Sequence, residues 1–188
     1  MNPPRIPPLA PPYSETVERE LAKIMPPGVP PLALFATLAT NERVFARVMA
    51  GGLLDRGSLT LRERELVIDR TCWRCGAEYE WGVHVAVYGA KAKLSPAEIA
   101  ATCSADPDAL AAAFSPREQL LVQLCDELHA TARVSDALWS SLAAEFSPAQ
   151  LVELVVLAGY YHAIAYAVNA FGVRLEPWAA RFPTATGG

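Results

Sequence analysis

The feature that most constrains this sequence is a helix-start pattern that occurs four times. In each copy a Ser or Thr is followed three residues later by Glu or Gln, so that side chain and backbone can cap each other in the first helical turn. The copies begin at Thr60, Ser95, Ser115 and Ser147. In the last three, proline occupies the first helical position, where its missing N–H costs no hydrogen bond. No stretch alternates between apolar and polar residues over the length of a strand, so the sequence predicts an all-α fold.

The length and composition of the chain fit one folded domain. Its 188 residues, of which 52% are hydrophobic, can build one buried core and are short for two. Residues 1–12 contain six prolines, which disfavour helix, so we expect an extended arm there. We therefore predict a single helical domain over residues 13–180 and a C-terminal tail over residues 181–188.

Apolar spacing and helix breakers place two further helices. The first is predicted from Ser14 to about Ile24, where a cluster of proline and glycine at residues 26–31 ends it. The second is predicted from Leu32 to Met49, because its apolar residues recur at mostly helical spacing and two glycines follow. The predicted total is about six to eight helices.

The sequence also raises the hypothesis of an internal duplication of a helical pair. Glu65-Leu-Val-Ile68 resembles Glu153-Leu-Val-Val156, and each lies shortly after a helix start. Aligning the residues that follow needs a gap of seven residues, so the duplication stays a hypothesis.

Charge and hydropathy exclude two classes of partner. The formal net charge is −4 and no segment concentrates Lys and Arg, so the chain lacks the basic surface that nucleic acids require. The longest apolar stretches, such as residues 151–158, fall short of the roughly 18 to 20 residues that span a bilayer. The proline-rich N-terminus lacks the apolar segment of a secretory signal. We therefore expect a cytoplasmic protein with no nucleic-acid partner and no membrane partner.

One face of the helix that starts at Thr60 carries a single acidic residue, Glu65. The face is formed by residues at steps of three and four along the chain: Leu61, Glu65, Ile68, Cys72 and Cys75. Because the rest of this stripe is apolar, Glu65 is a candidate site residue. The other charged residues of the helix are expected on a solvated surface: Arg62, Glu63, Asp69, Arg70 and Arg74.

The next helix, which begins after a break at Gly76, carries a predicted acid/base pair. Glu80 and His84 lie four residues apart on a helix that is apolar nearly all round and is therefore expected to be buried. Burial and a charged neighbour can together tune such a pair for proton transfer near neutral pH. With Glu65 as a second carboxylate, these residues are predicted to form one small pocket. The alternative is a satisfied buried pair that only joins two helices.

Five segments give the chain a resemblance to a known family. They are Leu61-Arg-Glu-Arg-Glu-Leu-Val-Ile68, Gly76-Ala-Glu-Tyr-Glu-Trp-Gly-Val-His84, Leu94-Ser-Pro-Ala-Glu-Ile99, Gly159-Tyr-Tyr-His162 and Asn169-Ala-Phe-Gly172. On these segments, over roughly residues 30–175, the chain resembles the carboxymuconolactone decarboxylase and alkylhydroperoxidase D family. The element Tyr-Glu-Trp-x-x-His is the specific part of the resemblance.

The resemblance is to the decarboxylase-like branch, which implies a cofactor-independent lyase. Such an enzyme would act on a small carboxylated lactone or a β-keto-acid-like substrate, and its pocket would stabilise an enolate without a metal. His84 would be the proton donor or acceptor, Glu80 would orient it and set its charge, and Glu65 would be the second carboxylate. The resemblance also implies a homo-oligomer, either a trimer or a hexamer.

The hydroperoxidase branch of the family has two cysteines between its Glu and its His. Counted from Glu65, those two positions hold Ala77 and Glu80 in this sequence. The pair Cys72 and Cys75 comes five residues too early. A thiol peroxidase or disulfide reductase that uses this displaced pair is the alternative function.

Two features argue against a redox role for Cys72 and Cys75. They are predicted to end a helix, whereas a reactive pair usually starts one, where the helix dipole stabilises a thiolate. Cβ atoms three residues apart in a helix are about 5 to 6 Å apart, and a disulfide requires roughly 3.5 to 4.5 Å. Neither a second cysteine pair nor a nearby His spacing completes four zinc ligands, so we expect no metal and no cofactor.

The remaining predictions concern aromatic and histidine residues. Tyr79, Trp81 and His162 are candidate lining residues of the pocket. His162 is also interpreted as a hydrogen-bonded core histidine, whereas His129, near the polar end of a helix, is interpreted as a surface residue without a role. The remaining alternative is a non-catalytic helical oligomer in which the buried pair is only structural.

Overall fold

The structure, a computed structural model, describes residues 3–183 and contains ten α-helices in that range. They are α1 (Glu15–Ala22), α2 (Ala33–Leu38), α3 (Glu42–Ala50), α4 (Leu61–Arg74), α5 (Glu78–Tyr88), α6 (Pro96–Ala101), α7 (Pro107–Ala113), α8 (Pro116–Thr131), α9 (Asp136–Glu145) and α10 (Pro148–Phe171). The all-α fold class is confirmed. The helix count is higher than predicted, because one predicted helix is two and two short helices were not predicted.

All four capping boxes begin a helix, as predicted. Thr60, Ser95, Ser115 and Ser147 are the N-caps of α4, α6, α8 and α10. In each case the cap side chain accepts a hydrogen bond from the third helical N–H, and the third side chain accepts one from the N–H of the cap. Both partners lie within four residues of sequence, so the capping hydrogen bonds themselves are local.

The predicted helix from Leu32 to Met49 is wrong as one element, because α2 and α3 are separate. Asn41 divides them: its Oδ1 accepts a hydrogen bond of 3.2 Å from the N–H three residues on, which starts α3. The unpredicted helices α7 and α9 are capped by Asp106 and Ser135. None of these three caps is followed at the third position by Glu or Gln, so the capping-box pattern does not include them.

Helix α4 lies at the centre of the fold and packs against α5, α8 and α10. The prediction that its charged residues face solvent is wrong for Glu63, Asp69 and Arg70, which are buried. Because α4 has neighbours on several sides, its polar positions are covered as well as its apolar ones. Arg70 is compensated by Asp126, whose two carboxylate oxygens accept hydrogen bonds from Nε and Nη2 at 2.8 and 2.6 Å.

The turn between α4 and α5 places the two helices against each other. Gly76 adopts a left-handed conformation with φ of 62°, which a residue without Cβ tolerates. The N–H of Ala77 donates to the Cys72 carbonyl at 2.8 Å and that of Gly76 to the Trp73 carbonyl at 2.9 Å. This Schellman-type ending confirms the predicted break at Gly76.

Helix α10 corrects the expectation that no apolar segment is long enough to span a membrane. Among the helices of residues 3–183, it alone has sufficient length and apolar composition. Core helices of soluble proteins pass the same test. The residues that α10 buries against the rest of the protein are Leu151, Leu154, Leu157, Ala158, Tyr161, Ile164, Ala165 and Val168.

The N-terminal segment lies along the helical body. Residues 3–12 contain no helix, and the N–H of Arg5 donates to the carbonyl of Phe171 at 2.8 Å. Residues 1–2 of the predicted arm and residues 184–188 of the predicted tail lie outside the part of the chain that the structure describes.

Candidate functional site

The structure brings Glu65, Glu80 and His84 together in the interior. His84 Nδ1 lies 2.8 Å from Oε2 of Glu65, which is on α4. His84 Nε2 lies 3.4 Å from Oε1 of Glu80, one turn earlier on α5. All three residues are buried, and the side chain of Glu80 is the most exposed at 11%, against 4% for His84 and 1% for Glu65. One imidazole therefore stands between two carboxylates, and Glu80 is the carboxylate nearest to solvent.

A fourth residue of the cluster, Tyr161, was not predicted. Its hydroxyl lies 3.1 Å from Nε2 of His84, and the two rings meet edge to face with centroids 5.1 Å apart. The sequence did carry a signal for it. Tyr161 is the hydroxyl-bearing residue on the otherwise apolar buried stripe of α10, which is the same criterion that singled out Glu65.

Arg64 connects the cluster to the surface. Its Nε and Nη2 donate to Oε1 of Glu65 at 2.9 and 2.8 Å, and its Nη1 donates to the carbonyl of Leu54 at 2.8 Å. Its guanidinium also lies over the ring of Tyr88, 5.4 Å from the ring centroid. One oxygen of Glu65 is thus held by Arg64 and the other by His84.

The charges around His84 favour the imidazolium. Burial alone lowers the pKa of His84, but hydrogen bonds to Glu65 and Glu80 and the charges of both carboxylates raise it to about 10. A protonated His84 donates through Nδ1 to Glu65 and directs Nε2 toward Tyr161 and Glu80. Burial raises the pKa of the nearby Asp69 carboxyl well above its usual range. The site therefore holds a protonated imidazole at neutral pH.

A protein-family comparison covers three of the four residues of this cluster. The profile of the Carboxymuconolactone decarboxylase family matches residues 39–127. This range contains Glu65, Glu80 and His84 and ends before Tyr161. No curated protein matches the chain by sequence.

Solved structures share the fold over nearly the whole chain. The alkylhydroperoxidase D core of an uncharacterized peroxidase-related protein from Ralstonia eutropha JMP134 has a TM-score of 0.76 at 17% identity and covers 94% of this chain and 95% of its own. A peroxidase-related protein from Silicibacter sp. TM1040 has a TM-score of 0.74 at 14% identity, covering 97% of this chain and 100% of its own. The chain is therefore similar to the Carboxymuconolactone decarboxylase family over residues 39–127 and shares the fold of these solved structures.

Solved structures that share this fold are named for different activities. A debrominase in complex with 2,3,4-tribromopyrrole has a TM-score of 0.71 at 13% identity and covers 95% of this chain and 94% of its own. At such low identities the likeness shows the shared fold and does not transfer an activity. The residues of this chain itself are therefore the basis for its proposed function.

The displaced cysteine pair is not arranged as a reactive dithiol. Cys72 is fully buried, and burial together with the charge of Glu80 raises the pKa of its thiol well above the usual range. Burial also raises the pKa of the half-buried Cys75 thiol. Cys75 Sγ faces Nδ1 of His129 at 3.6 Å rather than the imidazole of the acid/base cluster.

The three residues expected to line the pocket, Tyr79, Trp81 and His162, make polar contacts with residues outside the acid/base cluster. The Tyr79 hydroxyl donates to Oε1 of Glu176 at 2.9 Å. The indole N–H of Trp81 donates to Oγ1 of Thr102 at 3.1 Å. His162 lies 3.2 Å from His129 at the surface. These side chains position α5 and α10 in the fold, and the polar groups that contact His84 are the two carboxylates and Tyr161.

Arg64, which contacts Glu65, also lines a surface cleft of about 280 Å³. Its lining residues are Leu54, Asp55, Arg56, Gly57, Leu59, Leu61, Arg64 and Glu153. The loop before α4 forms one wall and is fastened to α10, because Glu153 accepts a hydrogen bond of 2.7 Å from the N–H of Ser58. Arg64 forms the boundary between this cleft and the buried carboxylate of Glu65.

Proposed function

We propose that this protein is a cofactor-independent acid/base enzyme that protonates a small carboxylated substrate through His84. The observation that carries the proposal is the position of His84 between Glu65 and Glu80, buried and with its pKa raised to about 10. Two buried carboxylates around one imidazole favour its charged form, so His84 carries the proton that the proposed reaction needs at neutral pH.

The distances suggest different roles for the two carboxylates. Glu65 makes the shorter contact with His84 and is itself held by Arg64, so we assign the orienting role to Glu65. Glu80 is more exposed and faces the opposite ring nitrogen, so it can return a proton from solvent to His84. This differs from the expectation drawn from the resemblance, in which Glu80 was the orienting residue.

The proposed reaction is the loss of a carboxylate as carbon dioxide. The electrons of the breaking carbon–carbon bond remain on the substrate as an enolate, and Nε2 of His84 delivers a proton to the carbon. The hydroxyl of Tyr161, 3.1 Å from Nε2, can stabilise the developing oxyanion by donating a hydrogen bond. The suggested substrates are carboxylated lactones and β-keto acids.

The cleft beside Arg64 supports an anionic substrate. Two of its lining residues are arginines, Arg56 and Arg64. Of the two acidic residues in the cleft, Glu153 is already hydrogen-bonded to the loop at Ser58. A guanidinium pairs well with a carboxylate because it offers two parallel donors.

The test is a His84→Gln variant, measured for carbon dioxide release from a panel of carboxylated lactones and β-keto acids. Gln keeps hydrogen-bonding capacity but cannot supply the proton, so we expect the rate to fall by about 10² to 10⁴. Tyr161→Phe should lower the rate by about 10- to 150-fold, as for the loss of one hydrogen bond to a charged group, which is worth about 1.5 to 3 kcal/mol. The matched control is Tyr160→Phe, because the Tyr160 hydroxyl donates to the Val48 carbonyl at 2.7 Å.

Full activity in His84→Gln would show that the cluster is structural, and the non-catalytic helical oligomer would then be the better interpretation. The thiol alternative is separated by a second assay. Wild-type reduction of cumene hydroperoxide with a dithiol donor, lost in a Cys72→Ser variant, would favour it. The raised pKa of the Cys72 thiol leads us to expect no such activity.

A further inference from the structure

We propose that Cys75, His129 and His162 form a binding site for a transition-metal ion of the zinc type. The thiol sulfur and one nitrogen of each imidazole all lie within 4.8 Å of one another. Thiolate and imidazole are the ligands that zinc prefers. The three residues lie outside the His84 cluster and take no part in the proposed acid/base reaction.

Two of the three separations between the ligand atoms match the edges of a zinc tetrahedron. With Zn–S bonds of about 2.3 Å and Zn–N bonds of about 2.0 to 2.1 Å, a tetrahedral site has S···N and N···N edges of about 3.6 and 3.3 Å. The distance from Cys75 Sγ to His129 Nδ1 is 3.6 Å. The distance from His129 Nδ1 to His162 Nε2 is 3.2 Å. One ion can therefore bridge both of these edges, and the third pair, Cys75 Sγ and the His162 nitrogen, lies within 4.8 Å.

The second nitrogen of His162 is held as in a metal-bound histidine. His162 Nδ1 lies 3.0 Å from the carbonyl of Ala158, to which it donates its proton. A histidine that binds a metal usually gives its other N–H to a carbonyl or carboxylate, which fixes the tautomer. Nε2 of His162 consequently presents a lone pair toward His129 and Cys75.

Nδ1 of His129 is the ligand atom that the other two both approach. It lies 3.6 Å from Cys75 Sγ and 3.2 Å from His162 Nε2. In the metal-free protein, one N–H of His129 can be shared between the sulfur and the imidazole nitrogen, which both accept. An ion between the three atoms would replace this shared hydrogen bond with a bond to each ligand.

Rigid elements hold the three ligands. Cys75 is the C-cap of α4, and its carbonyl accepts a hydrogen bond of 2.9 Å from Nδ2 of Asn169. His129 lies in the last turn of α8 and His162 in the middle of α10. Within residues 3–183 the cluster contains three such ligands, which leaves one tetrahedral position for water or a small ligand.

The experiment is a titration of the metal-free protein with Zn²⁺ in competition with a chromophoric chelator. We expect one Zn²⁺ per chain. Cys75→Ser, His129→Gln and His162→Gln should each weaken binding by more than the roughly 10- to 100-fold that loss of an outer-shell partner costs. The matched control is Cys103→Ser, a half-buried free thiol outside the cluster, which should bind as the wild type does.

Two further measurements identify the ligands. Co²⁺ in place of Zn²⁺ should give a thiolate-to-metal charge-transfer band that is kept in Cys103→Ser and lost in Cys75→Ser. In the wild-type protein, Zn²⁺ should protect Cys75 from alkylation, located by mass spectrometry, so the test does not depend on a variant that folds. The proposal is overturned by binding without one-to-one stoichiometry, by unchanged affinity in the three ligand variants, or by alkylation of Cys75 that Zn²⁺ does not slow.

Discussion

His84 carries a charge because its interactions with two carboxylates outweigh the cost of burial. Its pKa is raised from an ordinary value of 6.5 to about 10 in the folded protein. Folding therefore increases the proton affinity of this residue. The resulting stabilisation is fully present below pH 6.5 and is lost as the pH rises through the folded value of about 10.

We predict that the free energy of unfolding falls between pH 6.5 and about pH 10, and that His84→Gln removes much of this fall. Urea unfolding followed by circular dichroism across this range measures it. Asp69→Asn is the comparison variant, because the raised pKa of the buried Asp69 carboxyl adds its own loss of stability with rising pH. An unchanged slope in His84→Gln would show that His84 is neutral in the folded protein.

At the scale of helices, two glycines that both lie inside apolar helices differ in how closely other atoms approach them. Gly82 lies in α5, where the C-terminal segment crosses so closely that a Cβ would meet the carbonyl of Ala180. The Gly82 carbonyl also accepts a hydrogen bond of 3.1 Å from the N–H of Ala180. Gly159 lies in α10, and a Cβ there would meet no atom within 4 Å. Within one chain, Gly82 permits close packing, whereas Gly159 lowers the stability of its helix.

This contrast gives a paired prediction. Gly159→Ala should raise the free energy of unfolding by about 0.5 to 1 kcal/mol, since alanine is the better helix former. Gly82→Ala should lower it by about 1 to 3 kcal/mol, because the added methyl group displaces the backbone at Ala180. Urea unfolding of both variants measures the difference. A gain in stability for Gly82→Ala would contradict the close contact.

Helix starts could be predicted from sequence where both partners of a cap lie in one short motif. The boxes at Ser95 and Ser115 are examples. Asn41 and Ser135 cap their helices without a Glu or Gln partner, and polar residues of this kind are also common in loops. Burial of Arg70 could not be predicted, because it depends on Asp126, which lies 56 residues away.

At the scale of the whole molecule, only part of the candidate site could be predicted from the sequence. Glu65 and His84 were predicted because helical spacing fixes which residues share a face. Tyr161 contacts His84 across 77 residues of sequence, and His129 and Cys75 meet across 54. Such contacts follow from the way α8 and α10 pack on α4, which spacing along the chain does not contain.

The outer face of α10 leads to a prediction about assembly. Val152, Val156 and Tyr166 are each more than half exposed on this helix. We propose that a second copy of the chain covers this face in a homo-oligomer, as the resemblance implies for a trimer or hexamer. Light scattering should give a multiple of 20.2 kDa, and Val152→Glu should reduce the mass.

The matched control for assembly is Val29→Glu, an exposed valine in the segment before α2. It adds the same charge away from α10 and should leave the mass unchanged. A wild-type mass of about 20 kDa at micromolar concentration would contradict the homo-oligomer.

Arg64 joins the entrance of the cleft to the buried acid/base cluster through one guanidinium. It binds the Leu54 carbonyl on the cleft side and Glu65 on the interior side. A ligand that draws Arg64 toward the cleft weakens its hold on Glu65 and leaves more of that negative charge to His84. Occupancy of the cleft and proton binding by His84 are then thermodynamically linked, and each strengthens the other by the same factor.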